Sequence, residues 1–400
     1  MNNHLNTRSF NTREVIPAIL VAVWLIGILF ALNFPTRADI SQIVSLTWII
    51  PFLKPWKVKE LLGLPILRNF TTVVAFLSFF LFSFIVGVFS VSPRLSLGYL
   101  FITIVGLFVC AKVWLLLKYN SSSAFKLYSV FALLILFFLH LNGRFLILRN
   151  PNGLGLILNS IIACSYSFEN LLFRLLLLLP SLFLLFATRS RASTLAAAII
   201  ILVQIYFDWQ INVKAKYIVL SLTFLTLMVG LYLNLDVELM EFLGNYFELD
   251  NKFTGLESGF AGRTDVWNFG IDYWLNNDIL FGTGYRVHEL NFKSEGYTKH
   301  SSLHNGFLST LVETGLVGSI SMLIILTSTF TKLISLSLMR SRTAKVGLSL
   351  FLGYLFIAGF ERFLINFGNP TSVLFAMFIV MPHFSCIEKQ NTYLFQGKKT

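Results

Sequence analysis

Apolar residues run through this chain in long, nearly unbroken blocks, and not in the alternation of a half-buried strand or the one-faced stripe of a water-soluble helix. An α-helix needs about 20 such residues to cross roughly 30 Å of hydrocarbon. On that measure the blocks predict twelve spans: Val15 to Asn33, Ile40 to Leu53, Asn69 to Ser90, Leu95 to Leu117, Ala124 to Asn142, Gly153 to Phe168, Leu171 to Ala187, Ala192 to Phe207, Lys216 to Leu235, Leu303 to Phe330, Ala344 to Phe360 and Phe363 to Phe384. The second, sixth and eighth are short, which predicts tilted or partly re-entrant segments. One long polar connection, Asp236 to Ser302, separates the ninth span from the tenth. The expected fold is an all-α polytopic membrane protein of about 12 transmembrane helices, with one large external loop between helices 9 and 10. Helices 1–9 fall in 1–235, the loop in 236–302, helices 10–12 in 303–384 and a polar, basic tail in 385–400.

Composition agrees with the pattern. The chain is 56% hydrophobic and 12% charged, against about 45–50% and about 25% in soluble domains. Its net charge of +12 comes from 31 basic and 19 acidic side chains, and in a membrane protein such an excess marks cytoplasmic loops, not nucleic-acid binding. Counted over alternate connections, seventeen Lys and Arg fall on the side of the N-terminus and seven on the other. Both termini are therefore expected in the cytoplasm and the long connection outside. Lys112 and Arg174 interrupt apolar blocks near predicted cytoplasmic ends, where a long side chain is expected to snorkel to the headgroups. No acidic residue falls in mid-span, which argues against an ion-coupled carrier. Cys110, Cys164 and Cys386 form no CxxC and suggest neither a metal site nor a disulfide.

The long connection collects the polar chemistry. Thr264 to Asn277 places Trp267, Ile271, Trp274 and Leu275 at helical spacing with Asp265, Asp272 and Asn276 on other faces, predicting an amphipathic helix with tryptophans at headgroup level. Phe281-Gly282-Thr283-Gly284-Tyr285 supplies glycines for a tight turn. Lys299 to Asn305 then leads into the tenth span, with His304 at the helix start and Asn305 or Ser302 as caps. Imidazole is the side chain suited to taking up a proton near neutral pH.

These stretches together resemble a known family. Gly262-Arg263-Thr264-Asp265-Val266-Trp267, Phe281-Gly282-Thr283-Gly284, and His304-Asn305 followed after nine residues by Gly315-Leu316-Val317-Gly318 look like the signature of the bacterial O-antigen ligase/polymerase family. Asn150-Pro151-Asn152-Gly153 and Ser190-Arg191 add to the likeness, as does the layout of twelve spans with a large late loop. The resemblance implies a metal-independent, C-type glycosyltransferase in the bacterial inner membrane. Its donor would be a glycan on a polyprenyl diphosphate carrier and its acceptor a glycan or lipid-linked hydroxyl, with surrounding membrane lipids and a chain-length regulator as further partners and no cofactor. The sequence shows no DxD pair for a metal-bound sugar nucleotide and no phosphate-binding GxxxxGK[ST] loop.

Within that resemblance the residues take roles from charge. A departing diphosphate gathers negative charge, and a guanidinium fork binds phosphate oxygens bidentately without titrating near neutrality. Arg191 and Arg263 match family motifs and are expected to hold the diphosphate, with Arg144, Arg149 and Arg286 on the same side as second candidates. His304 becomes the expected general base, with Asp265, Glu295 and Glu313 as carboxylate alternatives. Glu313, nine residues on along the same helix, lies half a turn from His304, so the two cannot share a face and histidine is preferred. Gly315 and Gly318 read as close helix packing. Arg144 followed after ten residues by Gly155 resembles an arginine motif of the polymerase branch, whereas the histidine pattern fits the ligase branch equally well; the balance leans to polymerisation. A non-enzymatic flippase or export component is the alternative, and it would require cations along the middle of the spans.

Overall fold

The computed structural model describes residues 12–31, 69–117, 121–142, 151–188, 190–209, 263–297, 302–339, 341–362, 364 and 370–384. Among them the structure is all-helical. Twelve helices appear: α1 (Thr12–Ala31), α2 (Phe70–Phe89), α3 (Pro93–Leu116), α4 (Ser121–Leu141), α5 (Pro151–Ser165), α6 (Leu171–Ala187), α7 (Arg191–Trp209), α8 (Arg263–Asn276), α9 (His288–Ser294), α10 (Gly306–Leu338), α11 (Arg342–Ala358) and α12 (Pro370–Phe384). These are not the twelve expected spans. The second and ninth, Ile40 to Leu53 and Lys216 to Leu235, lie outside the described residues, while α8 and α9 belong to the long connection. Helices α2, α3, α4 and α10 are each long and apolar enough to cross a membrane, and shorter apolar stretches fall in α1, α5, α6, α7 and α12. The protein is a membrane protein.

Local sequence starts the helices where it should. Asn69, Asn170, Asn305 and Ser341 cap α2, α6, α10 and α11 by accepting from backbone N–H groups of the first turn, and Pro93 opens α3, where its missing N–H costs nothing. Burial is apolar inside and apolar outside. On α2 the buried positions include Thr72, Ala75 and Ser83, whereas Leu77, Leu81, Phe84 and Phe89 are exposed. On this helix small and hydroxylated residues join Phe79 and Val86 on the buried side while other large apolar residues face outward, an arrangement lipid permits because apolar contact with lipid is no penalty. Buried hydroxyls return to their own helix, as Ser181 Oγ does to the Leu177 carbonyl (2.6 Å). Other polar groups bridge helices: Trp114 Nε1 donates to Met377 O (2.6 Å), Tyr354 OH to Leu156 O (2.9 Å) and Asn159 Nδ2 to Ser193 O (3.0 Å).

Helix α11 is buried on nearly every face and packs against α5, α7, α10 and α12, so its C-terminal end is held from several directions. Two charges depart from expectation. Lys112 does not snorkel but lies within the bundle, 1% exposed. Arg174 turns back, its Nε donating to Phe168 O (2.6 Å) and its guanidinium lying 4.4 Å from the Tyr166 ring centre.

Helix α10 positions the site. Its 33 residues span about 50 Å at 1.5 Å per residue, more than a bilayer core requires. It breaks at Gly315 (φ 60°, ψ −164°). In an unbroken helix the Leu316 and Val317 amides would reach the carbonyls of Val312 and Glu313. Here they donate to Ile279 O (3.0 Å) and Leu280 O (3.1 Å), while Val312 O and Glu313 O accept from the amides of Thr283 (3.1 Å) and Gly284 (3.1 Å). The Phe281–Gly284 turn is spliced into the helix at the level of two hydrogen bonds, leaving none of these four groups unsatisfied. Glycine is required on both sides of the splice. A Cβ on Gly315 would stand 2.3 Å from Leu280 O, and one on Gly282 (φ 77°) 2.5 Å from Gly315 N. Close helix packing therefore does not explain Gly315. Nor does it explain Gly318, where a Cβ would meet the Thr314 side chain of its own helix at 2.2 Å.

Candidate functional site

The segment before α10 folds over its start. In α8 the face made of Val266, Gly270, Phe269 and Tyr273 packs against Phe292 of α9 and Leu303, which half-buries the helix's aromatics. The tryptophans turn their N–H groups to backbone: Trp267 Nε1 donates to Leu303 O (2.6 Å) and Trp274 Nε1 to Ile279 O (3.1 Å). Ile271 and Leu275 remain exposed.

His304 lies just outside α10, not in its first turn. Asn305 is the cap, its side chain accepting from Phe307 N and Leu308 N, both at 3.0 Å. His304 takes a positive φ of 44°, uncommon for a residue with a Cβ and a pointer to a constrained position. Its Nδ1 lies 3.4 Å from Glu361 Oε2, and its side chain is 44% exposed. Nε2, on the opposite edge of the ring, bonds no described residue.

Glu361, at the end of α11, gathers three segments. Its Oε1 accepts from Asn152 Nδ2 (2.5 Å) and lies 3.4 Å from Arg263 NH2. Arg263, the first residue of α8, also donates through NH1 to Phe360 O (2.5 Å). Asn152 Oδ1 in turn accepts from Ser190 Oγ (2.7 Å), which stands 2.9 Å from Ser193 Oγ. Arg191 begins α7 directly after Ser190, which places its backbone beside this chain; its side chain lies outside the described set, as do Arg144 and Arg149 entirely. Thus the ends of α5, α8, α10 and α11 converge on one carboxylate, with the start of α7 one hydrogen bond further out through Ser190 and Asn152.

Arg286 is placed differently. It is half-buried, with a φ of 62°, and its guanidinium lies 4.9 Å from the Tyr99 ring centre. It lines a small cavity with Tyr285, Ser309, Glu313 and Arg362. Burial, reinforced by the Arg362 cation, lowers its affinity for a proton but leaves a guanidinium charged in the physiological range.

Beside the Glu361 group lies a second buried cluster that the sequence did not announce. Arg362 donates through NH1 to Glu289 (3.1 Å) and through NH2 to Glu313. Glu313, 5% exposed, bonds His288 Nδ1 (2.5 Å). His288 Nε2 accepts from the Leu303 amide (3.5 Å), which assigns the proton to Nδ1 and makes the ring a neutral donor to Glu313. Burial, aided by Arg362 and opposed by Glu313, holds this imidazole below its ordinary value. The depressed value sets the sign of a pH effect: the contribution to stability is complete above about pH 6.5 and is lost below it, where the unfolded chain binds a proton that buried His288 refuses. Thermal melts in detergent at pH 7.5 and 5 should show a smaller acid-induced loss in His288→Asn than in the natural protein; an equal loss would refute it.

Past Asn305 the surface turns apolar. A cavity of about 490 Å³ is lined by Trp267, Phe307, Leu311, Met322, Leu326 and Leu364, among others, with Asn305 and Thr310 among its few polar groups. It follows α10 on both sides of the break at Gly315. The site is thus amphipathic: a histidine, an arginine and a carboxylate at the head of α10, and an apolar hollow along its flank.

These features define an integral-membrane protein with a histidine–arginine–carboxylate group where the ends of several helices meet. Residues 176–323 match the family model described as O-antigen ligase, which supports the O-antigen ligase/polymerase family that the motifs resemble. That family points to a glycosyl-transferring enzyme. No curated protein matches the chain. The matched stretch contains Arg191, Arg263, Arg286 and His304, whereas Asn152, Glu361 and Arg362 lie beyond it. Sequence reading missed Glu361 and Arg362. A carboxylate at the edge of an apolar block beside an arginine was the available signal, since such a charge is costly unless paired.

Proposed function

We propose that this protein transfers or polymerises oligosaccharide units from a polyprenyl-diphosphate carrier onto the hydroxyl of a glycan or lipid-linked acceptor. The reaction takes place at the outer face of the bacterial inner membrane. In this reading the twelve-span layout stands, both termini are cytoplasmic, and residues 236–302 form the external loop. The carrying observation is the junction of a cationic, histidine-bearing group with an apolar hollow. An isoprenoid diphosphate has the same two-part character: its first isoprene units fill the hollow and its diphosphate meets arginine.

His304 Nε2 takes the proton of the acceptor hydroxyl as its oxygen attacks the anomeric carbon of the donor sugar. The bond from that carbon to the phosphate oxygen breaks, and the lipid diphosphate leaves with the electron pair. Glu361, at the other ring nitrogen, orients the imidazole and compensates the charge it gains. Arg263 directs one N–H to Phe360 and one to Glu361, leaving three of its five donors for phosphate oxygens. Arg191 joins it, with Arg144, Arg149 and Arg286 as further candidates for the diphosphate and the first sugars. A chain-length regulator belongs to this reading as a further partner.

The test is transfer by purified protein from a polyprenyl-diphosphate oligosaccharide in the presence of two competing acceptors, a second lipid-linked unit and a lipid A core. The acceptor that gains mass decides between polymerase and ligase. Arg263→Ala should lower kcat/KM by about 10²- to 10³-fold, the loss expected for a donor aimed at developing charge. Undiminished transfer by Arg191→Ala, Arg263→Ala and His304→Ala, each normally inserted, would refute the assignment and favour an export component.

A further inference from the structure

Glu361 and Arg362 are neighbours in the chain, yet they face different groups. Glu361 joins Arg263, Asn152 and His304. Arg362 joins Glu289 and Glu313. Glu313 is the buried end of this second group, and it is tied in two directions. Through Arg362 it holds the bend whose other residue is Glu361. Through His288 it holds the Leu303 amide, one residue before His304. The same backbone is fixed by Trp267 on the Leu303 carbonyl and by the Asn305 cap. His304 keeps a positive φ, which persists only where its surroundings over-determine it. Only a carboxylate fits the Glu313 position, since it must accept from both an imidazole N–H and a guanidinium and offset buried positive charge.

We propose that Glu313 is a positioning residue that sets His304 and Glu361 against each other, through His288 and Leu303 on one side and through Arg362 on the other. The inference rests on the reading of His304 as the base. It makes the break in α10 part of the catalytic geometry, because the Phe281–Gly284 turn accepted there hands its Gly284 amide to the Glu313 carbonyl and leads within four residues to His288.

The experiment measures kcat and donor KM of the full-length protein with a polyprenyl-diphosphate oligosaccharide. Glu313→Gln should lower kcat by about 10- to 100-fold, the scale of a misplacement near 1 Å, with KM changed less than about twofold because the diphosphate contacts remain. Arg362→Ala should lower kcat as well, and Arg362→Lys should restore part of the loss. In a Glu361→Gln background, Arg362→Ala should add less than about twofold, since that arm then has nothing left to position. Full kcat in Glu313→Gln, or losses that multiply in the double variant, would overturn the proposal. Should Glu313→Ala fail to accumulate in membranes, Glu313→Gln and Arg362→Lys carry the test. An active His304→Ala would instead sink the functional reading; an inactive one beside a fully active Glu313→Gln would sink this proposal alone.

Discussion

Replacing His304 by Ala is expected to remove long glycan chains from the surface of cells that depend on this protein, with membrane insertion unchanged. In the purified reaction the rate should fall by about 10²- to 10⁴-fold, the usual contribution of a positioned general base. His304→Gln should be equally poor, because a carboxamide keeps a hydrogen bond to Glu361 but cannot take up a proton. Stability should not follow activity. The side chain is 44% exposed and its backbone adopts a positive φ, a conformation Asn tolerates better than most residues, so His304→Asn should melt no lower than the natural protein while being inactive. Gel analysis of surface glycan at matched expression reads the first effect and a thermal melt the second. Normal chain length in His304→Ala would end the proposal for this residue.

Gly315→Ala should damage folding itself. The ψ of −164° at a φ of 60° belongs to a region that only glycine enters readily, at a strain of about 1–3 kcal/mol for other residues. The added methyl would also stand 2.3 Å from the Leu280 carbonyl oxygen, and forcing such a contact apart adds about 1–3 kcal/mol. A loss of about 2–6 kcal/mol is a large share of a domain's total stability, so Gly315→Ala should fail to accumulate or should melt far below the natural protein. Gly98→Ala is the control, since a Cβ there meets nothing within 4 Å. Equal accumulation and melting of the two variants would show that the spliced turn is not a structural requirement.

The sequence exposed most of the helical frame. Apolar blocks located α1, α2, α3, α4, α5, α6, α7 and α11 to within about three residues, and α10 and α12 with one end off by eight and seven, while periodicity found α8 inside the polar connection. Arg263 and His304, picked from short motifs, lie against one carboxylate. Other motif residues were legible while their purpose was not. Gly282 and Gly315 are 33 positions apart in number, and only the structure shows that Gly282 makes room for the backbone at Gly315 and Gly315 for that of Leu280 and Phe281. Glu313 was judged by its angle from His304 on a shared helix, but His304 precedes the cap, and Glu313 turns to His288 and Arg362. The second-rank arginines, Arg144, Arg149 and Arg286, rest on side and charge. Arg286 is half-buried over the Tyr99 ring and lines a small cavity with Arg362.

What the chain determined by itself is its solvent. With 56% apolar residues in blocks of membrane length, only helices that satisfy their own backbone hydrogen bonds are stable in lipid, and that condition is local enough to be read along one dimension. Tertiary structure decided which polar groups meet. Glu361, Asn152, Arg263 and His304 come from four separate segments, and a hydrogen bond between distant segments leaves no period in the sequence. Hydrogen bonds act over about 3 Å, so the pairing of these side chains exists only after packing has brought the ends of α5, α8, α10 and α11 together.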